Sequence, residues 1–300
     1  MKEVKVSVCI VTYNHIKFIK KCLDSLVDQK TDFDFEILVS DDCSVDGTRE
    51  ILVEYEKEYP GLIKIFLQSK NLGAQQNFIF VHQKAKGEYI AHIDGDDYAL
   101  PGKLQSQADY LDRNIDCNIV WHRMNTLKEN NLFSDNYLSN GLVFKKLDLI
   151  DLIANVTLGM NSSKMYRANF AHKDWMDYYD LDFSYNALKL IEPNKYAAFS
   201  SQGVLGVYRS GIGISVTQNH KIKIRIYKWL LRFYKDKLID RSLINAKILL
   251  LLLSDTKHRN KTMFYGMYAF ISTMIKFKIK SVKLMHAKNA KLSNMNEIID

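Results

Sequence analysis

Residues 4–121 predict an α/β architecture, a mostly parallel sheet with helices on both faces. Three observations carry that expectation. Short β-branched or aromatic runs alternate with segments of helical period, about one pair every 25–30 residues. Polar clusters close three of those runs, at Thr12-Tyr13-Asn14, at Asp41-Asp42 and at Asp94 through Asp97. Turn and capping residues fall between runs and not inside them. Parallel sheets bind ligands at the carboxyl ends of their strands, so three polar clusters at one edge imply a nucleotide-type ligand there.

The first strand is expected over Val4 to Tyr13, which is β-branched and bounded by Asn14. Ile16, Ile19, Leu23 and Leu26 then recur at helical spacing up to Gln29. Phe35 to Ser40 is a second strand, and Ser44-Val45-Asp46-Gly47-Thr48 is a turn with capping residues. A helix carrying Ile51, Leu52 and Tyr55 follows that turn. Leu62 to Leu67 reads as a strand, Ala74 to Ala85 as a helix, and Tyr89 to Ile93 as a strand stopping at the acidic run. Leu104 to Leu111 supplies a helix, and Asn118 to Trp121 a strand. Beyond Asn130 the pattern turns irregular, with short strands at Ser163 to Tyr166 and Val204 to Tyr208 around a helix near Phe183 to Leu190. From His220 onward it is helical, apolar and basic. A boundary near residue 215 therefore divides a 1–215 domain from a 216–300 helical region.

Charge follows the same division. The whole chain carries +8, but residues 216–300 hold 18 Lys and Arg against 5 Asp and Glu, whereas the first 215 hold 24 against 29. Such asymmetry suits a surface that meets polyanions. The N-terminus resembles no signal peptide, and no apolar run approaches the roughly 18–20 residues that span a bilayer. Cys9, Cys22, Cys43 and Cys117 share no C-x-x-C spacing, so neither a zinc site nor a disulfide framework is expected, and a cytoplasmic setting fits.

Asp94-Gly95-Asp96-Asp97 carries the chemistry. Clustered carboxylates at a strand end offer hard oxygen ligands on one loop, and the glycine lets a bulky ligand approach the backbone. Oxygen ligands of this kind suit Mg²⁺ or Mn²⁺ bridging two phosphates. A solvated acidic turn is the plainer alternative.

At this point the chain resembles glycosyltransferase family two, with its GT-A nucleotide-diphospho-sugar transferase fold. The matching residues are Val8 through Asn14, Val39 through Thr48, Asn71-Leu72-Gly73 through Asn77, and Gly87 through Asp97, with Pro101 and Leu104. The resemblance is dense over 5–113 and thinner to about 215. It implies an inverting transfer of a sugar from a nucleotide-diphosphate donor, a UDP-sugar by expectation, to an acceptor hydroxyl. Thr12, Tyr13 and Asn14 would line the base pocket, Asp41 would bond the base edge, and Asp42 would support that loop. Asp94 would lie near the ribose, Asp96 would ligate Mn²⁺ or Mg²⁺, and Asn71 and Asn77 would complete the donor site. Turn formation is the alternative for Asn71.

The chain also departs from the family. Many relatives carry arginine just before the position of Asn77, where this chain has Gln75-Gln76. A histidine expected two positions after Arg209 is absent, because Tyr208-Arg209 runs into Ser210-Gly211. Arg209 remains a candidate for the diphosphate. The acceptor must lose a proton as it attacks, and the family places an aspartate for this ahead of an aromatic residue and an apolar helix. Asp182 before Phe183 matches best, with Asp180 its competitor.

In the tail, Lys221, Lys223, Arg225, Lys228 and Arg232 interleave with Ile222, Trp229, Leu230 and Phe233, and Lys276, Lys278, Lys280 and Lys283 follow a second apolar segment. Basic helices bearing aromatics are expected at an anionic membrane surface, here the inner face of the cell membrane. An ordinary helical appendage is the alternative. A lipid-linked glycan of a bacterial surface polysaccharide (O-antigen or capsule) is then the expected acceptor. No motif supports nucleic-acid binding. A dinucleotide dehydrogenase would need G-x-G-x-x-G after the first strand, where Thr12-Tyr13-Asn14-His15 stands. The remaining alternative from another class is an inactive nucleotide-sugar binder or scaffold.

Overall fold

β1 (Val6–Thr12) reads Val-Ser-Val-Cys-Ile-Val-Thr, and six of its seven residues are buried. A strand apolar on both faces needs cover on both, which places it at the centre of a sheet. In the computed structural model, β1 lies between two parallel partners, β2 (Phe35–Asp41) and β4 (Tyr89–Asp94). β3 (Ile63–Leu67) adds a fourth parallel strand outside β2. The register sets Thr12 opposite Asp41 and Val11 opposite Asp94, so the three polar clusters emerge along one edge. Strand order reverses between β1 and β4, the kind of switch point where α/β sheets open a crevice. The structure describes residues 3–129, 131–133, 144–155, 159–168, 190, 194–211, 219–235, 240–257, 266–267, 269–270, 281–284 and 286.

The helices divide by face. Val6, Val8 and Ile10 share one buried cluster with Ile19, Leu23 and Leu26 of α1 (Ile19–Val27), Leu52 and Tyr55 of α2 (Thr48–Glu58), and Leu104 and Leu111 of α4 (Lys103–Arg113). Each such side chain contributes about 1.5–3 kcal/mol when fully buried. α3 (Ala74–His82) covers the other face, where the Cys9 thiol meets the Val81 carbonyl at 3.8 Å. Alternation along each strand therefore decides which layer a residue faces.

The second half of the sheet holds the antiparallel members of a mostly parallel sheet. Its order is β3-β2-β1-β4-β9-β6-β10-β5, and β9 (Lys164–Arg167) runs antiparallel between β4 and β6 (Cys117–Lys128). β10 (Tyr196–Arg209) pairs parallel with β6, and β5 (Tyr98–Ala99) antiparallel with β10. β7 (Asn131–Phe133) pairs β6, and β8 (Phe144–Leu147) pairs β10. Both long strands exceed the expected runs of Asn118 to Trp121 and Val204 to Tyr208. Past Trp121 the apolar pattern stops, yet neighbours on both sides still supply backbone partners. β10 crosses register shifts between Ser200 and Gly206, where an alternation pattern cannot persist.

The described chain divides into two compact units. The first holds 1–146, 159–176 and 196–210, and contains the sheet edge. The second holds 147–158, 177–195 and 211–300. Within it, α5 (Leu149–Asn155) and α6 (Asn219–Lys235) each pack against α7 (Arg241–Lys257). α6 is amphipathic, burying Ile226, Tyr227, Trp229, Leu230 and Phe233 and exposing Lys228, Arg232 and Lys235. Trp229 and Phe233, taken above as membrane-facing aromatics, are buried by the protein, their rings tilted against each other with centroids 4.2 Å apart. Helical spacing alone does not separate an apolar stripe that meets lipid from one that meets another helix. All four cysteines are free thiols, three of them buried. No helix among the described residues is long and apolar enough to cross a membrane.

Candidate active site

The loops after β1 and β2 hold each other. Both turn through a left-handed residue that is not glycine, Asn14 at φ 54° and Cys43 at φ 67°. Such backbone is costly and persists where surrounding bonds over-determine it. Ser44 Oγ accepts the Asn14 N–H at 2.8 Å, and Asn14 Oδ1 accepts the Val45 N–H at 3.0 Å. Thr48 Oγ1 accepts from His15 N at 2.9 Å, and Asp46 Oδ2 from Ile16 N at 3.0 Å. Asp46 also takes the Thr48 N–H, so it serves the start of α2. Tyr13 and Asn14 are exposed at this rim, while Thr12 is buried.

Asp41 and Asp42 lie below that rim. Asp41 is fully buried, and its carboxylate accepts Arg49 Nε at 2.9 Å, the Ser44 N–H at 3.0 Å and the Ser44 hydroxyl. Asp42 accepts the Leu72 and Gly73 N–H groups at 2.6 and 3.0 Å, which ties down the loop before α3. Asn71 sits on that loop and bonds the Asp42 carbonyl and Gly73 N–H. Asn77 is buried, with both ends of its amide on Ser40 at 2.6 and 2.9 Å. These four residues shape the floor of the edge, and their polar atoms are engaged by the protein itself.

The acidic loop after β4 is different. The Asp94 side chain is 32% exposed and Asp96 is partly exposed, whereas Asp97 is buried. Gly95 is required by space: a Cβ there would lie 2.8 Å from Thr12 Cβ and 3.0 Å from His15 Nδ1. His92 Nε2 lies 3.1 Å from Asp94 Oδ1, on the same strand face two residues earlier. Ser162, in a 3-10 turn at Asn161–Ser163, accepts the Asp94 N–H at 2.9 Å and donates to Asp97 Oδ2. Burial raises the pKa of Asp94, with Lys164 and then His15 opposing. Burial and then the Asp94 charge raise Asp96, and burial with both neighbours raises Asp97 well above the carboxylate range. Arg209, from the end of β10, places its guanidinium over Phe18 at 4.9 Å and Tyr98 at 5.6 Å, close enough to favour the ionised Asp96.

Beneath the loop lies Lys103, fully buried at the start of α4. Its ammonium donates to the Ser162 carbonyl at 2.8 Å and lies 2.9 Å from His122 Nε2, and burial pushes it down to about 7. Sequence reading missed Lys103, Ser162 and His92 as members of this network. The i, i+2 spacing of His92 and Asp94 was a usable signal, because such residues share a strand face. Nothing in helical periodicity marks Lys103 as buried, and Ser162 reaches the site only through β9. Asp182 and Asp180 lie outside the described residues.

A hard divalent cation fits Asp94 and Asp96, two partly exposed carboxylates whose burial, with the Asp94 charge acting on Asp96, raises their proton affinity. Among the described residues no three His, Cys, Asp or Glu side chains converge as a metal group. A cation here would therefore complete its shell with ligand oxygens and water, as Mg²⁺ does at diphosphates.

A mixed sheet, parallel through β3-β2-β1-β4, with acidic and polar loops at its switch point has the GT-A nucleotide-diphospho-sugar transferase architecture. The sequence pattern of Glycosyl transferase family 2 matches residues 7–175, and the chain belongs to that family. An uncharacterized protein of Mycobacterium tuberculosis is 37% identical over 124 residues, covering 41% of this chain and 36% of that protein. The poly(ribitol-phosphate) beta-glucosyltransferase of Bacillus spizizenii is 41% identical over 97 residues, covering 31% of this chain and 15% of that enzyme. The chain thus matches well under half the length of these curated relatives. Among solved structures, S. aureus TarS 1-349 in complex with UDP-GlcNAc superposes with a TM-score of 0.67 at 18% identity, covering 96% of this chain and 89% of that one. That likeness is one of fold.

Proposed function

We propose that the protein transfers a sugar from a nucleotide-diphosphate donor, a UDP-sugar, to an acceptor hydroxyl with inversion at the anomeric carbon. The observation that carries this reading is the pairing of Asp94 with Asp96 at the switch point, both raised in pKa by burial. Mn²⁺ or Mg²⁺ held there would neutralise the departing diphosphate. Tyr13 and Asn14 stand exposed beside the crevice for the base, and Arg209 faces Asp96 from the other strand. Asp41 and Asp42 support the base pocket; a base edge reaches Asp41 only if Ser44 yields one of its bonds. The donor is supported by the family and by a fold neighbour solved with UDP-GlcNAc. A surface-polymer glycan, lipid-linked or free, is the proposed acceptor, in keeping with the poly(ribitol-phosphate) relative. Residues 1–215 are proposed to carry the reaction and 216–300 to serve as a basic helical appendage.

The test is turnover of a panel of nucleotide sugars, with and without chelator, in wild type and Asp96→Ala. Donor hydrolysis or transfer should require Mn²⁺ or Mg²⁺ and fall by roughly 10²–10⁴ in the variant. Full turnover in excess chelator, or in Asp96→Ala, overturns the metal assignment. Absence of any donor turnover or binding overturns the transferase reading for this chain.

A further inference from the structure

His15 lies against Gly95, the residue that separates the two site aspartates in sequence, and the proposed function leaves it without a role. Its backbone is fixed: the N–H bonds Thr48 Oγ1 at 2.9 Å, and the carbonyl accepts the Phe18 and Ile19 N–H groups at 2.8 and 2.9 Å at the head of α1. Its ring is fixed as well. Nδ1 lies 3.2 Å from Thr12 Oγ1, and the ring meets Phe18 edge-on at 6.3 Å. It crowds Gly95 so closely that a Cβ there would approach Nδ1 to 3.0 Å. It favours the ionised form of both Asp94 and Asp96, which places it near the pair. Nε2, the opposite edge of the half-buried ring, makes no hydrogen bond among the described residues.

We propose that His15 binds the diphosphate of the donor through Nε2–H. When the Thr12 hydroxyl donates to Nδ1, the proton of the neutral ring resides on Nε2. That edge becomes a donor held in place before the ligand arrives. The chemistry of the position selects a phosphate oxygen. An anionic diphosphate meets two carboxylates here and needs donors as well as a cation to settle beside them. Among side chains, His15 and Arg209 favour the ionised Asp96, and Lys164 and His15 favour the ionised Asp94. The inference rests on the donor-site reading above and adds to it the group that recognises the phosphates.

Calorimetry with Mn²⁺ present tests it. The probe is whichever of UDP, GDP, ADP, CDP and dTDP binds wild type best, compared with its own nucleoside. His15→Ala should weaken the diphosphate about 10- to 100-fold and leave the nucleoside within about twofold. His15→Gln restores an N–H donor and should recover most of that loss, and it carries the test if the alanine variant does not fold. Unchanged diphosphate affinity in His15→Ala overturns the inference alone. Equal losses for diphosphate and nucleoside also overturn it, assigning His15 to the base pocket or the loop. Failure of wild type to bind any of the five diphosphates with metal overturns the donor-site reading and this inference together.

Discussion

The backbone N–H of Arg209 donates to Asp97 Oδ1 at 2.8 Å, joining the end of β10 to the acidic loop after β4 across 112 positions of sequence. The other oxygen of Asp97 takes the Ser162 hydroxyl, so one buried carboxylate fixes three segments at once. Asp97 is thus the fastener of the D-x-D loop, while Asp94 and Asp96 face outward.

Removing that fastener has a defined cost. Asp97→Ala leaves the Arg209 N–H and the Ser162 hydroxyl without their acceptor, against which relief of repulsion with Asp94 and Asp96 partly offsets. A net loss of about 2 kcal/mol in urea unfolding is expected. Asp97→Asn keeps an acceptor for the N–H and sheds the charge, so it should stay within about 1 kcal/mol of wild type. Equal losses in the two variants would contradict the hydrogen-bond account.

Lys103 gives the protein a readable pH dependence. Burial lowers its pKa from 10.5 to about 7, so between those values the unfolded chain holds a proton that the folded chain does not. Stability contributed through this group therefore rises with pH across that window, by up to about 1.4 kcal/mol per pH unit. Denaturation at pH 7 and pH 9 should show wild type gaining on Lys103→Met. Parallel pH profiles for the two proteins would remove Lys103 as the source.

The proposed general base is tested outside the described residues. Asp182→Asn keeps size but accepts no proton, so turnover should fall roughly 10²–10⁴-fold with donor affinity near normal. An active Asp182→Asn together with an inactive Asp180→Asn transfers the role to Asp180.

The tail should bind anionic surfaces by charge and without Trp229 and Phe233. Lys228, Arg232 and Lys235 are exposed on α6 while Trp229 and Phe233 are buried. Exposed lysines near an anionic surface contribute on the order of 1 kcal/mol each and are screened by salt. Binding to phosphatidylserine vesicles should then vanish near 1 M salt, the Debye length being about 3 Å there. Trp229 fluorescence should not shift on binding. Persistence at high salt, or a blue shift of Trp229, would show that α6 opens to insert its apolar face.

The central strands, their flanking helices and the three polar clusters were legible in the sequence. Alternation and helical period are local consequences of burying one face, and they survive in any short window. Asp94, Asp96 and Asn14 stand out for the same reason, as polar groups where an apolar strand stops. Other features depend on partners far along the chain. β9 enters antiparallel between β4 and β6 and brings Ser162 to Asp94 from 68 positions away. Lys103 reads as one more surface lysine until Ser162 and His122 close over it. Trp229 and Phe233 form one apolar stripe whether lipid or protein covers it, and in the folded chain both are buried by protein. A residue's own chemistry fixes what it can bond, but only the tertiary structure chooses between bonding the protein and facing a ligand. Asp41 and Asp96 show this most directly: both end or follow a strand of the same edge, and Arg49 with Ser44 engages the first while the second stays open.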